Sequence, residues 1–232
     1  AGYAIYSDIT ERKERERELR RQNERLDEFA SVVSHDLRNP LNVATARVEM
    51  AAETGDTSHL ADAQSALQRM DELIDDVLSL ARYGEDVVDA EPVALDDAAE
   101  RAWQNVTGGD GDATLVVADP PTVRGDDSRI LQLFEKLFGN AVDHVGPDVT
   151  VTVGALDDRE GFFVADDGPG IPPSERDQVF ERGYSTAENG TGFGLGVVSE
   201  IAEAHDWTVR VAESADGGAR FEVLAPTVEP FE

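Results

Sequence analysis

Apolar side chains follow a helical spacing through the first third of the chain. From residue 10 onward the sequence is rich in strong helix formers, and its apolar positions are separated by three or four residues. This spacing is typical of the seam of a coiled coil. The predicted seam consists of one polar residue and five apolar ones: Gln22, Leu19, Leu26, Phe29, Val33 and Leu37.

A second helix is predicted to follow and to form a hairpin with the first. The helical pattern continues past Pro40, which bends the helix, and the segment TGDTS ends it with Gly55 as C-cap and Thr57 or Ser58 as the next N-cap. Two helices with one apolar stripe each cannot bury both stripes alone, so we predict a homodimeric four-helix bundle. The second stripe comprises Ala63, Leu67, Met70, Ile74, Val77 and Ala81.

Beyond a polar linker at residues 84–92 the pattern becomes mixed. Strands and helices do not alternate strictly, which favours an α+β sandwich over a doubly wound parallel sheet. Helices are predicted near residues 95–106, 126–144 and 194–205. Strands are predicted near residues 92–94, 114–118, 123–124, 149–155, 162–165, 207–213 and 219–224.

The charge of the chain narrows the classes of partner. Its 232 residues carry 20 basic and 49 acidic side chains, a net charge of -29, and no cysteine. Such a surface repels nucleic acid and anionic lipid, so we expect neither as a partner. No apolar run approaches the ~18 residues of a membrane span. The absence of cysteine excludes a disulfide framework and a thiolate metal site.

The stretch SVVSHDLRNPLN, residues 31–42, puts side chains that could take part in catalysis on the first predicted helix. His35 lies two residues from both Val33 and Leu37, about 200° around the helix from each, and therefore points away from the seam. A buried core histidine would instead lie on the seam. A histidine titrates near neutrality, and the adjacent carboxylate of Asp36 can orient its tautomer.

Three further motifs follow in the α+β region. DDGPGIP, residues 166–172, comes after an apolar strand, and its glycines let the backbone approach a flat ligand. GTGFGLG, residues 190–196, precedes an apolar helix whose first backbone amides suit phosphate. FEKLFGNAVDH, residues 134–144, puts Asn140 and Lys136 one turn apart on a helix. Taken alone, each is about equally compatible with an acidic turn, a hinge or a surface amide.

The order of these motifs resembles a known family. A helix with Asn140, then a strand with DxGxG, then an aromatic loop and a GxGxG helix, is similar to the ATP-binding domain shared by sensor histidine kinases, gyrase, MutL and Hsp90. SHDLRNPL resembles the phosphoacceptor box of the dimerisation domain of sensor histidine kinases. The first residues resemble the exit strand of a PAS sensor domain. The acidic composition indicates adaptation to high salt, and the chain resembles the haloarchaeal type of this family.

The resemblance implies a domain order. Residues 1–9 end a preceding sensor domain, and residues 10–83 form the dimerisation and phosphotransfer domain. After the linker at 84–92, an ATP-binding domain spans residues 93–226, and 227–232 form a tail. The implied partners are a second copy of the chain, an upstream sensor and a response regulator, with this part of the chain in the cytoplasm.

The resemblance also implies roles for individual residues. His35 takes the γ-phosphate of ATP, Asp36 holds its other ring nitrogen, and Asn39 orients water for dephosphorylation of the partner regulator. Asn140 coordinates Mg²⁺, and Asp166 binds the adenine amino group. The remaining residues implied to bind ATP, several of them in the lid over the nucleotide, are Lys136, His144, Gly168, Gly170, Phe180, Gly190, Thr191, Gly192 and Gly194.

Two positions depart from the family pattern. Many members have asparagine in place of Lys136 and lysine in place of Asp143. Lys136 either supplies a cation near the phosphates or intrudes on the Mg²⁺ shell, and Asp143 would repel ATP unless it faces another contact. These departures leave open a degenerate dimeric signalling scaffold that binds ATP poorly. A second alternative is a gyrase-type ATPase, but it needs no phosphohistidine, so SHDLRNPL argues against it.

The charge density predicts a dependence of stability on salt. Self-repulsion among the acidic side chains is screened as ionic strength rises, so the midpoint of thermal unfolding should increase with KCl concentration up to the molar range. The measurement is a melting series from dilute buffer to concentrated KCl. Maximal stability in dilute buffer would contradict adaptation to high salt.

Overall fold

The computed structural model describes the chain as two compact units, residues 1–75 and 76–232. The first is helical, and the second contains the sheets. The predicted strand at residues 1–9 and most of the predicted coiled-coil seam lie outside the described residues. The described residues are 13, 37–81, 90–109, 112–181, 184 and 192–228.

The first unit contains the predicted helical hairpin. Helix α1 is described over residues 37–54 and runs through Pro40, and helix α2 spans Ser58–Ala81. Gly55, with φ of 72°, donates its N–H to Ala51 O at 2.9 Å, which confirms it as the C-cap. Helix α2 begins directly after Thr57, one of the two predicted N-cap positions. The N–H of its first residue is satisfied by a side chain that the sequence did not single out, because Asp56 Oδ1 accepts from Ser58 N at 2.9 Å. This backbone hydrogen bond lowers the pKa of the exposed Asp56 carboxyl.

Small side chains bring the two helices together. Ala44 of α1 is buried with Ala63 and Ala66 of α2, and Arg47 Nε lies 3.3 Å from Asp62 Oδ2 at the exposed margin. The predicted α2 stripe is only partly buried in the single chain. Leu73 is buried, whereas Leu67 and Ile74 are 50% and 39% exposed. A hairpin covers only one side of each helix, so part of an apolar stripe remains outside.

The second unit is an α+β sandwich, as predicted, and it contains a mixed five-stranded sheet. Strand order is β2-β4-β5-β7-β6, with β2 parallel to β4 and the other neighbours antiparallel. A smaller antiparallel sheet has the order β1-β3-β8. The elements are β1 (Glu91–Ala94), α3 (Leu95–Thr107), β2 (Thr114–Ala118), β3 (Thr122–Gly125), α4 (Asp127–Val145), β4 (Thr150–Ala155), β5 (Phe162–Asp166), α5 (Gly194–Ala204), β6 (Thr208–Glu213), β7 (Ala219–Leu224) and β8 (Thr227–Val228).

These bounds agree with the sequence predictions to within one or two residues, with one omission. Strand β8 lies where the sequence predicted only a tail, and it pairs with β3 through Thr122↔Val228 and Val123↔Thr227. Two residues after Pro226 are too short a run to show a strand period. In the residues that the structure describes, no helix is long and apolar enough to cross a membrane.

Helix α4 supplies much of the core. Its buried side chains recur at spacings of one, three and four, so one face packs inward while Lys136 and Asn140 stay half-buried on another. The Phe134 ring stacks on Phe138 with centroids 5.4 Å apart and lies 5.6 Å from Phe162 of β5. The buried set of α4 comprises Ile130, Leu133, Phe134, Leu137, Phe138 and Ala141.

The start of α4 is tied to the end of α5. Asp126 caps α4 by accepting from Ser128 N at 2.9 Å and Arg129 N at 3.1 Å. The Asp126 N–H in turn donates to His205 Nε2 at 3.0 Å, and His205 Nδ1 lies 2.7 Å from Ile201 O. This pattern requires Nε2 as acceptor and Nδ1–H as donor, the neutral tautomer of His205. The sequence predicted His205 only as a helix end.

Neutral His205 makes stability depend on pH. Burial lowers the pKa of His205 below its usual value, and the charge of Arg129 lowers it further, although Ile201 O and Asp126 act in the opposite direction. As pH falls through ~6.5, the unfolded chain takes up a proton before the folded one does. The stabilisation from neutral His205 is therefore complete above that pH and is lost below it.

We expect wild type to lose up to about 1.4 kcal/mol of unfolding free energy per pH unit below ~6.5, relative to His205→Gln, which cannot titrate there. The measurement is urea unfolding at constant high salt from pH 7.5 to 5. His144→Gln is the matched control because His144 is exposed on the same unit. Parallel pH profiles for wild type and His205→Gln would contradict a neutral His205.

Candidate active site

The carboxylate of Asp166 is fixed at the end of β5. Its Oδ1 accepts a hydrogen bond from Gly168 N at 2.9 Å and another from Ala219 N, the first residue of β7, at 3.0 Å. The first is the bond of an Asx-turn, which shapes the loop that follows β5. Both restrict rotation of the half-buried side chain. The carboxylate is thus a preorganised acceptor.

The two glycines after Asp166 are required by close contacts within the protein. A Cβ on Gly168 would lie 2.2 Å from Val145 Cγ2, at the end of α4. Gly170 has a φ of 72°, and its Cβ would lie 2.7 Å from Gly217 O. Sequence reasoning attributed these glycines to the approach of a flat ligand. In the structure, they let the loop pack against α4 and the β6–β7 turn.

The turn between β6 and β7 contacts Asp166, and this contact was not predicted, although the hairpin itself was. Ser214 Oγ donates to Asp166 O at 2.8 Å, and a Cβ on Gly218 would lie 2.1 Å from the same oxygen. The only signal in the sequence was the turn-forming run SADGG. That signal places a turn but does not reveal a contact between residues so far apart in the chain.

Helix α4 presents three of the implied ligand residues. Lys136 and Asn140 are half-buried, and His144 is exposed in the last turn beside the exposed Asp143. Lys136 Cδ lies 4.0 Å from the position that a Cβ on Gly194 would occupy. The structure therefore brings Lys136 to the beginning of α5.

The first turn of α5 offers backbone donors. Its N-cap, Phe193, supplies no side-chain acceptor, and the first turn carries no acidic residue. The first N–H groups of a helix have no partner within it, and together with the helix dipole they favour an anion. Gly192, just before this helix, has a φ of 69°. The local chemistry suits a phosphate group.

The segment after the DxGxG loop is held by several side chains. Phe180 packs edge-to-face on Phe221 of β7 with ring centroids 6.5 Å apart, so at least part of its role is structural. Arg176 Nε donates to Ile171 O at 2.9 Å. Tyr184 Oη donates to Glu175 Oε2 at 3.0 Å; partial burial and this bond raise the pKa of the tyrosine.

Several predicted site residues lie outside the described residues: His35, Asp36, Gly190 and Thr191. Asn39 is described and is exposed on α1, directly before Pro40. Among the residues that the structure describes, no group of three or more histidine, cysteine, aspartate or glutamate side chains could hold a metal. A metal here would need ligands beyond carboxylates and imidazoles, such as an amide oxygen.

Comparison with known families identifies both halves of the chain. The family "His Kinase A (phospho-acceptor) domain" matches residues 25–86. The family "Histidine kinase-, DNA gyrase B-, and HSP90-like ATPase" matches residues 125–229. The chain belongs to the sensor histidine kinases. It contains the catalytic core of an ATP-dependent protein-histidine kinase, which confirms the predicted fold class and enzyme class.

Individual relatives agree with this assignment. Sensor histidine kinase TrcS of Mycobacterium tuberculosis is 33% identical over 88% of this chain and 44% of its own length. The structure of full-length ShkA in complex with AMPPNP is similar with a TM-score of 0.57 and 28% identity, over 86% of this chain and 46% of that chain. The structure of a mycobacterial sensor histidine kinase, MprB, is similar with a TM-score of 0.53 and 28% identity, over 60% of this chain and 97% of that chain.

The chain spans less than half the length of the curated relatives that it matches. It covers 44% of TrcS, 29% of cyanobacterial phytochrome A from Nostoc and 45% of the probable sensor histidine kinase TcrY.

Replacing Gly168 tests the packing of the DxGxG loop. Gly168→Ala should destabilise the kinase core by about 1–3 kcal/mol, because the new methyl group has to displace Val145 or the loop. Gly139→Ala is the matched control: its Cβ meets nothing within 4 Å, and alanine favours the helix. Urea unfolding measures both. Equal stability of the two variants would contradict the contact.

Proposed function

We propose that the chain binds ATP, phosphorylates His35 and passes the phosphoryl group to an aspartate of a response regulator. The observation that carries this proposal is the occurrence of a phosphoacceptor domain and an ATP-binding domain in one chain, in that order. A gyrase-type ATPase would not require the first of these. The proposal therefore favours a kinase over a nucleotide hydrolase.

Adenine recognition is assigned to Asp166. Adenine carries an exocyclic amine that donates hydrogen bonds, and a carboxylate accepts them. With Oδ1 held by Gly168 N and Ala219 N, the Asp166 carboxylate would meet the base without first losing rotational freedom. The glycines at 168 and 170 let the loop pack closely against α4 and the β6–β7 turn. ShkA, a relative, was solved with AMPPNP, an adenine nucleotide.

The phosphates are assigned to the beginning of α5. Its uncapped N–H groups and the lysine beside Gly194 provide donors and positive charge. Of the two roles left open for Lys136, this position favours a phosphate contact over intrusion on a metal shell. The residues proposed to bind the nucleotide also include Gly190 and Thr191 of the lid, Gly192 and His144.

The residues fit Mg²⁺ held mainly by the nucleotide. Asn140 is half-buried on α4 and has an amide oxygen, a ligand type that Mg²⁺ accepts. Mg²⁺ usually takes few protein ligands and completes its shell with phosphate oxygens and water, which agrees with the lack of a carboxylate cluster among the described residues. When bound, the ion would neutralise phosphate charge.

Phosphoryl transfer would use the neutral imidazole of His35. One ring nitrogen attacks the γ-phosphorus while the bond from that phosphorus to the β–γ bridging oxygen breaks and ADP leaves. The carboxylate of Asp36 would accept a hydrogen bond from the other ring nitrogen and stabilise the resulting imidazolium. Catalysis would then come chiefly from positioning and charge neutralisation.

A homodimer would complete the helical hairpin. Among the side chains of α1 and α2 that the structure describes, seven large apolar ones are exposed in the single chain, too many to be scattered surface residues. Pairing two hairpins into a four-helix bundle would cover this surface. The exposed set comprises Leu41, Val43, Val48, Met50, Leu60, Leu67 and Ile74.

Phosphatase activity toward the regulator is assigned to Asn39. Its exposed amide can orient a water molecule, and the residue lies one helical turn after the proposed phosphoacceptor. The curated relative MprB of Mycobacterium avium, 30% identical over 90% of this chain and 45% of its own length, is named a kinase/phosphatase. We further propose a haloarchaeal-type protein with a PAS-like sensor before the core, and a cytoplasmic position for this part of the chain.

Incubation with γ-³²P-labelled ATP and Mg²⁺ in concentrated KCl tests the kinase activity. Wild type should acquire acid-labile, alkali-stable label, and His35→Gln should acquire none because the accepting nitrogen is gone. His59→Gln is the matched control, a histidine on α2 of the same hairpin.

Three outcomes would contradict the proposal. Label retained by His35→Gln would place the phosphoacceptor elsewhere. No label in a folded wild-type dimer would favour the signalling scaffold, with Lys136 and Asp143 as the disabling departures. Steady ATP hydrolysis by His35→Gln at the wild-type rate would favour a gyrase-type ATPase.

A further inference from the structure

The turn between β6 and β7 is built around the hydroxyl of Ser214. The side chain is only 9% exposed, and its Oγ donates to Asp166 O at 2.8 Å while accepting from Gly218 N at 2.8 Å. The Ser214 N–H closes the turn on Gly218 O at 2.8 Å. One hydroxyl therefore joins the turn to the residue that ends β5.

The backbone of this turn also contacts Asp166 directly. Ala219 N donates to Asp166 Oδ1 at 3.0 Å. A Cβ on Gly218 would lie 2.1 Å from Asp166 O and 2.5 Å from Oδ1, so no side chain fits between the turn and the aspartate. The orientation of the carboxylate thus depends on where the turn places the Ala219 N–H.

A third attachment lies on the far side of the DxGxG loop. Arg176 donates to Ile171 O at 2.9 Å, and its Nη2 lies 3.5 Å from Oε2 of Glu213, the last residue of β6. The Glu213 side chain is largely exposed, so this ion pair contributes little by itself. Of the two side chains that make these attachments, Ser214 and Arg176, the serine is the more buried.

We propose that Ser214 is a positioning residue that sets the selectivity of the kinase core for adenine over guanine nucleotides. The proposal rests on the assignment of Asp166 to the adenine amine. Guanine has a carbonyl oxygen where adenine has this amine, so a fixed carboxylate accepts from adenine and repels guanine at that position. A carboxylate that is free to rotate discriminates less, because it can turn toward other donors of the base.

Removal of the hydroxyl leaves Asp166 O and Gly218 N without this shared partner. The turn then loses its buried attachment, and the Ala219 N–H no longer holds Oδ1 in one orientation. A hydrogen bond is worth about one factor of ten in binding. We expect Ser214→Ala to lower the preference for ADP over GDP by about tenfold.

The experiment is titration calorimetry of the full chain with ADP, GDP and inorganic tripolyphosphate in concentrated KCl. Ser214→Ala should weaken the binding of ADP and leave the binding of GDP little changed. The affinity for tripolyphosphate should not change, because the phosphate donors lie on α4 and α5. General loosening of the domain would weaken tripolyphosphate binding as well, and that result would overturn a positioning role. Thr208→Ala is the matched control, an exposed hydroxyl at the other end of β6.

Ser214→Cys provides a second variant if Ser214→Ala does not fold. Its thiol is a weaker donor, so selectivity should fall between those of wild type and alanine. Wild-type selectivity in both variants would overturn the inference while leaving the proposed function intact. A wild-type chain that binds ADP no better than GDP would instead overturn the assignment of Asp166 to adenine, and the inference with it.

Discussion

The fixed orientation of the Asp166 carboxylate depends on the order of strands in the larger sheet. Strand β7 runs antiparallel beside β5, so the beginning of β7 lies next to the end of β5, with Ala165 opposite Arg220. This register brings the beginning of β7 close enough for the β6–β7 turn to place Ala219 N on Asp166 Oδ1. A slip of one residue would turn the side chains of β7 to the opposite faces and remove that bond. The site therefore depends on the packing of Phe221 and Val223, the buried residues that set this register.

Helix α4 packs against β5 and against the loop that follows it, so it positions the other side of the site. Its inward face packs Phe134 against Phe162 of β5, so the strand that ends in Asp166 and the helix that carries Asn140 share one core. Val145, at the end of this helix, contacts Gly168. At its beginning, Asp126 and His205 attach it to the last turn of α5. Close-packed interiors transmit strain, so the proposed base, metal and phosphate positions are not independent.

The local sequence pattern was sufficient to predict features that depend on one segment of the chain. It was not sufficient to predict contacts with a segment that is distant in the sequence. The α4 face was predictable because Leu133, Phe134, Leu137 and Ala141 follow the helical period within one element. The contact of Ser214 with Asp166 joins residues 48 apart and leaves no periodic trace. The exposure of Leu67 has a similar cause, because an apolar stripe does not specify which chain covers it. The hydrogen bond from Ser58 N to Asp56, beside the predicted cap Thr57, was not predictable because neighbouring polar side chains compete for the same backbone N–H.

Repulsion between the acidic surface and an anionic nucleotide acts over a longer distance than the hydrogen bonds that would bind the nucleotide. Charges on the surface are screened beyond ~8–10 Å at physiological ionic strength, and beyond only ~3 Å at molar salt. Hydrogen bonds from backbone N–H groups act at contact and persist at any salt concentration. A site that relies on helix donors at α5, with Lys136 beside them, therefore needs no positive field around it. The net charge of -29 would slow the approach of ATP in dilute buffer but would have little influence on the bound state in concentrated salt. A composition that disfavours nucleic acid as a partner is for this reason compatible with a nucleotide as a substrate.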